Sequence, residues 1–153
     1  MHMIATAYHP KVYLYRRVVQ AKLFIDSNYS EKIDLDGIAG EAYFSKFHFI
    51  RLFKSIYGKT PHHYLKHLRI AQAKVLLAQN LSITETCFAV GFESLSSFST
   101  LFTTIVGQSP SAYSKRHQQT KQRISKNPHA YVPGCYAYQH GWFENSNFEE
   151  VGD

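Results

Sequence analysis

Residues 51–61 read RLFKSIYGKTP, and residues 100–110 repeat that pattern as TLFTTIVGQSP. Both strings carry the same order of apolar residues, one glycine and one proline, at an offset of 49 positions. The shared positions are Leu52, Phe53, Ile56, Gly58 and Pro61, which recur as Leu101, Phe102, Ile105, Gly107 and Pro110. In each copy, the glycine is typical of a helix end and the proline of the first turn of the next helix. The repetition indicates an internal duplication of a unit that looks like the second half of a helix-turn-helix.

The charge of the chain is distributed unevenly. The 153 residues carry a formal net charge of +6. Residues 1–80 have a net charge of +7 and residues 115–126 one of +5, whereas residues 81–114 have −2 and residues 127–153 have −4. Positive charge that is concentrated in two places indicates an anionic partner such as nucleic acid.

The composition disfavours several other classes of protein. Two cysteines are too few for a disulfide framework or a four-cysteine zinc site, and Cys87 is predicted to be a small core residue. His63 and His67 have the i, i+4 spacing of a metal-binding pair, but no HExxH motif or third ligand accompanies them, which favours a surface pair. The sequence shows no signal peptide and no apolar run of about 18 residues. We therefore expect a cytoplasmic protein with no membrane partner, metal, cofactor or catalytic residues.

The spacing of apolar residues and the capping signals predict an all-α fold of about seven helices. The first predicted helix, 12–28, has the apolar positions Leu14, Val18, Leu23 and Ile25. The other predicted helices cover 35–42, 46–57, 61–79, 83–90, 95–106 and 110–117. The predicted N-caps are Ser45, Thr60, Ser82, Ser94 and Ser109. Their hydroxyl groups can accept the backbone N–H groups that each first turn leaves unpaired.

These helices group into two homeodomain-like helix-turn-helix lobes joined by one long helix. We predict the first lobe at 13–58, the linker helix at 59–80 and the second lobe at 81–117. Residues 1–12 are expected to form a flexible N-terminus. Residues 118–153 lack a helical pattern but are rich in aromatic residues. We therefore expect this C-terminal extension to pack partly against the domain or a partner.

The first predicted recognition helix has two distinct faces. Its predicted buried face is Phe49, Leu52, Phe53 and Ile56, spaced at i, i+3, i+4 and i+7. Its opposite face is Lys46, Phe47, Ile50, Arg51 and Lys54. Three cations and two large apolar groups on one face suit the DNA major groove, where Arg51 can pair with guanine. The two lysines suit phosphates, whereas Phe47 and Ile50 either contact thymine methyl groups or pack against a neighbouring helix.

The second predicted recognition helix, 95–106, carries no cation. Its predicted buried face is Phe98, Leu101, Phe102 and Ile105, and its N-cap is Ser94. Its opposite face is Leu95, Ser96, Ser99, Thr100 and Thr103. The hydroxyl groups either donate to phosphates and bases or form an ordinary solvated face, and in both cases the helix face itself releases no counterions. Lys115 and Arg116 can hold the nearby DNA backbone instead.

Residues 16–117 resemble the DNA-binding region of the AraC/XylS family of bacterial transcription regulators. The resemblance rests on FSKFHFIRLFKSIYGKTPHHYLKHLRIAQAKVLL at 44–77 and on SITETCFAVGFESLSSFSTLFTTIVGQSPSAY at 82–113. It implies two lobes that place their recognition helices in successive major-groove segments. It also implies a stand-alone, single-domain member that acts as a monomer and has no small-molecule effector domain. Family members usually carry Arg or Lys where this chain has Thr100 and Thr103.

Three hypotheses of function follow from these patterns. The first is a sequence-specific transcription regulator that binds double-stranded DNA and is not an enzyme. The second is a protein-interaction module on the same fold, in which the apolar part of the first recognition helix and the aromatic extension bind a protein such as RNA polymerase. The third is an enzyme that accepts alkyl groups on Cys135, although nothing near it in the sequence indicates a lowered thiol pKa.

Overall fold

The computed structural model of the chain describes residues 10–33 and 46–140, and all regular structure in these ranges is helical. The α-helices are α1 (Pro10–Asn28), α2 (Lys46–Tyr57), α3 (Pro61–Ala78), α4 (Ile83–Ala89), α5 (Leu95–Val106), α6 (Pro110–Lys126) and α7 (Gly134–Gln139). A 3-10 turn, Pro128–Tyr131, separates α6 from α7. The all-α prediction is confirmed. The predicted helix 35–42 and its following cap at Ser45 lie outside the described residues, as do residues 1–9.

Local capping signals place several helix ends where the sequence predicts them. The Thr60 side chain accepts a hydrogen bond from the His63 amide at 3.4 Å and caps α3. Ser82 and Glu85 form a capping box on α4, with the Ser82 amide 3.1 Å from Glu85 Oε2 and the Glu85 amide 3.2 Å from Ser82 Oγ. Hydrogen bonds from the Ser82 hydroxyl and amide lower the pKa of Glu85. The left-handed residues after α2 and α5 are Gly58, with φ +71°, and Gly107, with φ +81°.

Two hydrophobic cores share α3. The first core consists of Val18, Ala21, Ile25, Phe49, Phe53 and Leu65. The second core consists of Ile70, Ala73, Leu77, Cys87, Val90, Phe98 and Phe102. Leu65 lies in the first half of α3, and Ile70 and Leu77 lie in the second half. One helix therefore joins the two lobes by burying a different part of its length in each.

The α1 helix differs from its prediction at both its start and its core face. It begins at Pro10, so residues 10–12 belong to this helix and not to a flexible N-terminus. Leu23, a predicted apolar position of the amphipathic pattern, is 55% exposed. Ala21 and Ile25 are buried instead, and at 3.6 residues per turn Leu23 points to the side of the helix opposite both.

Two positions of α2 are also corrected. Ile56 was predicted to be buried but is 38% exposed. The ring of Tyr57 closes this end of the first core instead, with its centroid 4.7 Å from that of Phe53 and 6.0 Å from that of Tyr64. Ile50 was predicted to face outward, but it is half-buried and packs against the first core. Phe49 and Phe53 are buried as predicted.

Arg69 of α3 connects the segment after α1 to the second lobe. Its Nε donates to the Tyr29 carbonyl at 2.7 Å, and its Nη2 donates to the Glu31 carbonyl at 2.8 Å. Its guanidinium carbon also lies 5.7 Å from the centroid of the Phe92 ring. Burial of the guanidinium lowers the pKa of Arg69. Because Tyr29 packs against both cores, this set of contacts ties the lobes together.

Gly91 allows the turn between α4 and α5 to approach that same segment closely. Its φ is +85°, a left-handed conformation that favours glycine. A Cβ atom at this position would lie 2.5 Å from the Ser30 carbonyl oxygen and 3.0 Å from Arg69 Nη2. The turn therefore needs glycine both for its conformation and for its packing.

The C-terminal part of the described chain is more helical than predicted. α6 runs to Lys126, beyond the predicted end at residue 117, and α7 follows the 3-10 turn. The expectation that residues 118–153 lack helix is therefore wrong for 118–126 and 134–139. The tyrosines of this part, Tyr131, Tyr136 and Tyr138, are exposed and belong to neither core. Trp142, Phe143 and Phe148, which were also expected to pack, lie outside the described residues.

Candidate nucleic-acid interface

The exposed side of α2 combines cations with one aromatic ring. We define the α2 outer face as its exposed candidate residues, Lys46, Phe47, Arg51 and Lys54. Phe47 is 77% exposed, so the alternative of packing against a described neighbour does not apply to it. Ile50 is half-buried, and most of its side chain packs against the first core, as the alternative interpretation of this residue predicted.

The α2 outer face is held in position by aromatic packing on the other side of the helix. Phe49 and Phe53 are 1% and 0% exposed, with their ring centroids 5.9 Å apart. The Phe53 ring also meets the Tyr64 ring edge-on at 5.7 Å, which links α2 to α3. Buried aromatic rings with several neighbours leave a helix little freedom to rotate. The exposed side chains are therefore presented from a rigid support.

Two cations of the α2 outer face, Arg51 and Lys54, form no ion pair with another described residue. An ion pair within α1 joins Lys22 to Asp26 at 2.5 Å. The same Asp26 accepts a hydrogen bond from the Tyr64 hydroxyl at 2.8 Å. Arg51 and Lys54 are exposed and available to an anionic ligand.

The exposed side of α5 has a different chemistry. We define the α5 outer face as its exposed candidate residues, Leu95, Ser96, Thr100 and Thr103. The Thr103 hydroxyl already donates to the Ser99 carbonyl at 2.8 Å. Ser99 itself is half-buried. Ser96 and Thr100 are thus the hydroxyl groups of this face best able to donate to a ligand.

Ser94, another predicted contact residue, has a structural task. Its Oγ accepts a hydrogen bond from the Ser97 amide at 3.3 Å and donates to Ser97 Oγ at 2.9 Å. Ser94 therefore caps α5 as predicted, and its hydroxyl hydrogen is already used.

The α6 helix brings further cations next to the second lobe. Lys115 and Arg116, both predicted, are exposed in its first half. Arg123 and Lys126 are exposed in its second half and were missed as candidates, because the helix was predicted to end at residue 117. A sequence signal was present, since residues 111–126 contain no glycine or proline and are rich in Lys, Arg and Gln, which favour helix.

Features of other functional sites are weak in the described residues. Within 10–33 and 46–140, no group of three His, Cys, Asp or Glu side chains is placed to hold a metal ion, and no helix combines the length and apolar character needed to cross a bilayer. Partial burial, followed by the charges of Lys59 and His63, lowers the pKa of His67. Cys87 is buried, which raises the pKa of its thiol, and Cys135 is exposed on α7.

Comparison with protein-family profiles places residues 38–116 in a known family. This range matches the family profile described as a helix-turn-helix domain. The MmsAB operon regulatory protein of Pseudomonas aeruginosa is 38% identical over 89 residues, which cover 58% of this chain and 29% of that protein. The bifunctional transcriptional activator/DNA repair enzyme AdaA of Bacillus subtilis is 35% identical over 91 residues, which cover 59% of this chain and 43% of that protein. The chain thus spans less than half the length of either relative.

Solved structures show the same architecture. The DNA-binding domain of AdpA, solved in complex with a target DNA, has a TM-score of 0.61 and 26% identity, covering 74% of this chain and 97% of that one. An AraC-type transcriptional regulator from Chromobacterium violaceum has a TM-score of 0.61 and 28% identity, covering 69% of this chain and 95% of that one. Since the matched range is more than half of the 153 residues, the chain belongs to the AraC/XylS family of helix-turn-helix transcription regulators.

Proposed function

We propose that this protein regulates transcription by binding double-stranded DNA in two successive major-groove segments, with α2 in one and α5 in the other. The observation that carries the proposal is the α2 outer face, where Arg51 and Lys54 are exposed beside a 77% exposed Phe47 on a helix anchored by two buried phenylalanines. A large apolar ring left in solvent between cations suits a groove that has both phosphates and base edges.

The residues of α2 divide by chemistry. Arg51 reads a guanine, because its guanidinium can donate to O6 and N7 at once. Phe47 contacts a thymine methyl group or a sugar. Lys46 and Lys54 pair with phosphates and set the register of the helix on the duplex. Ile50 contributes only its exposed edge, because most of its side chain packs against the first core.

The second lobe contributes fewer contacts. Ser96 and Thr100 donate to base edges or phosphates, and Leu95, which is 42% exposed, offers an apolar contact. Lys115 and Arg116 bind the neighbouring phosphates. The α3 helix, with 18 residues, is about 27 Å long, which suits lobes centred roughly 34–36 Å apart, one turn of B-DNA.

Two unlike recognition helices on one chain suit an asymmetric DNA site bound by a monomer. Binding to such a site needs no second copy of the protein, because one chain already supplies both helices. A protein that acts on the DNA of a bacterium works in the cytoplasm, so we propose that location for it.

The proposal is tested by selecting bound duplexes from a random pool and then measuring affinity for the selected duplex over a range of salt concentrations. We expect a site of about 15–20 base pairs with unequal halves, and a slope of log K against log salt of about −4, because four cations contact phosphates. A scrambled duplex of the same length and composition is the control. No binding even at low salt would contradict the proposal and favour the protein-interaction hypothesis.

A further inference from the structure

The α6 helix has an inner side that is fastened to the second lobe. The Tyr113 ring lies 5.6 Å from the Phe102 ring of the second core and 4.6 Å from the His117 ring. Lys74 of α3 places its Nζ 6.0 Å from the centroid of the Tyr113 ring. Further along, Lys121 Nζ donates to the Ala78 carbonyl at 2.6 Å, at the end of α3. These contacts hold α6 against the second core and the end of α3 as far as Lys121.

From residue 115 onward, the opposite side of α6 carries only cations and glutamine. We define the α6 basic face as Lys115, Arg116, Arg123 and Lys126. At 3.6 residues per turn these four residues fall within roughly 100° of arc, with Gln119 between them. All of them are exposed, and none forms an ion pair with a described residue.

The α6 helix itself contains no acidic residue, which is unusual for a solvated helix. Exposed helices typically mix both signs, so that i, i+4 pairs stabilise them. Here the sequence from residue 94 to residue 143 contains no Asp or Glu. The cations of α6 therefore repel one another, and an anionic ligand removes that repulsion.

The position of α6 beside α5 favours DNA as the ligand. The helix begins at Pro110, shortly after α5 ends at Val106, and α5 has no Lys or Arg. The matched family range ends at residue 116, so Arg123 and Lys126 belong to a part of the chain that the family profile does not cover. Two of the four cations of the α6 basic face therefore lie outside the range that the family profile covers.

We propose that the α6 basic face binds the phosphate backbone of duplex DNA beside the segment occupied by α5. This inference rests on the function proposed above and adds to it a further stretch of DNA. Lys115 and Lys126 are about 16 Å apart along the helix, close to the rise of five base pairs. Apart from arginine, which can bind either a base or a phosphate, no side chain of the face discriminates between bases. The face therefore supplies affinity without sequence preference.

The test compares two doubly substituted full-length chains with the same charge. In the first, Arg123→Gln and Lys126→Gln remove the distal half of the face. In the control, Arg16→Gln and Lys32→Gln remove two exposed cations of the first lobe. Both variants are titrated against the selected duplex, which carries about one helical turn of flanking DNA on each side. Circular dichroism checks that each variant is folded.

We expect the R123Q/K126Q variant to bind about 10- to 30-fold more weakly at ~0.15 M salt, with a salt slope smaller by about 1.8 units. The base preferences should not change, and the control should stay within about threefold of the parent. Removing the flanking DNA next to the α5 half-site should weaken the parent more than it weakens R123Q/K126Q.

Three results would overturn the inference. Equal weakening in the control would show that only total charge matters. Unchanged affinity in R123Q/K126Q, with parent binding intact, would show that the face does not contact DNA, while the proposed function stands. If R123Q/K126Q weakens DNA binding only in a chain that lacks residues 141–153, the face binds that acidic segment instead of DNA in the full chain. Failure of the parent itself to bind DNA would refute the proposed function separately.

Discussion

The two lobes of this protein are alike inside and different outside. Phe49 and Phe53 of the first lobe correspond, 49 positions later, to Phe98 and Phe102 of the second, and all four are at most 1% exposed. On the surface, the same offset relates Arg51 to Thr100 and Lys54 to Thr103. The interior residues thus build one scaffold twice, while the outward residues give each copy its own ligand chemistry.

The two recognition helices also correspond at a half-buried position. Ile50 and its counterpart Ser99 are both half-buried, so this position of the recognition helix faces the core edge in each lobe. The lobes differ more at the next turn, where Ile56 is 38% exposed but Ile105 packs against the second core. Two helices of similar sequence can therefore complete their hydrophobic cores with residues at different positions.

The largest expected effect is at the turn of the second lobe that meets the first. Gly91→Ala should lower the free energy of unfolding by about 3–4 kcal/mol, because the new Cβ overlaps the Ser30 carbonyl and the backbone is left-handed. Chemical denaturation measures the change. Gly58→Ala and Gly107→Ala are matched controls with left-handed backbones and open surroundings, and each should cost only about 1 kcal/mol. Equal losses at all three glycines would show that the close approach to Ser30 has no energetic weight.

A smaller loss is expected at the connection between the lobes. Arg69→Met keeps the apolar stem but removes the hydrogen bonds to the Tyr29 and Glu31 carbonyls. Unfolding free energy should fall by about 2–3 kcal/mol, and the two lobes should unfold less cooperatively, as judged by calorimetric against van't Hoff enthalpy. Lys66→Met, at an exposed position of the same helix, is the control. A single cooperative transition with unchanged stability would mean that Arg69 does not join the lobes.

One substitution should stabilise the second lobe. The buried Thr86 hydroxyl of α4 has no hydrogen-bond partner among the described residues. Thr86→Val keeps the shape and removes this unpaired group, so we expect a gain of about 1–2 kcal/mol. Thr84→Val, on the exposed side of the same helix, should be nearly neutral. A loss of stability at Thr86 would indicate that the hydroxyl is hydrogen-bonded to water in solution.

The smallest effect tests the surface difference between the lobes. Lys54→Gln should weaken binding of every duplex about fivefold at ~0.15 M salt and reduce the salt slope by about 0.9, because one phosphate contact is lost. Thr103→Ala, the matching position in α5, should change affinity less than twofold, since its hydroxyl donates within the helix. A loss at Lys54 restricted to one base pair would assign it to base reading.

Local signals made most of the fold predictable from the sequence. The capping box of Ser82 and Glu85 and the left-handed Gly58 depend only on residues that are close in sequence, so the local sequence is enough to predict them. Long-range packing is different. The exposure of Ile56 depends on where Tyr57 and Tyr64 meet, which helical periodicity does not specify.

The candidate site was predictable to a similar degree. The exposure of Arg51 and Lys54 followed from the phase of the helix, whereas the burial of Ile50 depended on neighbours distant in sequence. The distal part of α6 was missed because it has no apolar stripe. A hydrogen bond that joins it to α3, from Lys121 to the Ala78 carbonyl, spans 43 residues.

We expect a division of roles in which the cationic side of α2 reads base pairs and the matching side of α5 does so less. It is tested most directly by measuring the affinity of Arg51→Ala and Thr100→Ala for the selected duplex and for duplexes altered at each base pair in turn. We predict a loss of about 1–3 kcal/mol and a relaxed preference at one base pair for Arg51→Ala, and a loss below about 0.5 kcal/mol for Thr100→Ala. Unchanged affinity and selectivity in Arg51→Ala, or an equal loss in Thr100→Ala, would contradict the claim.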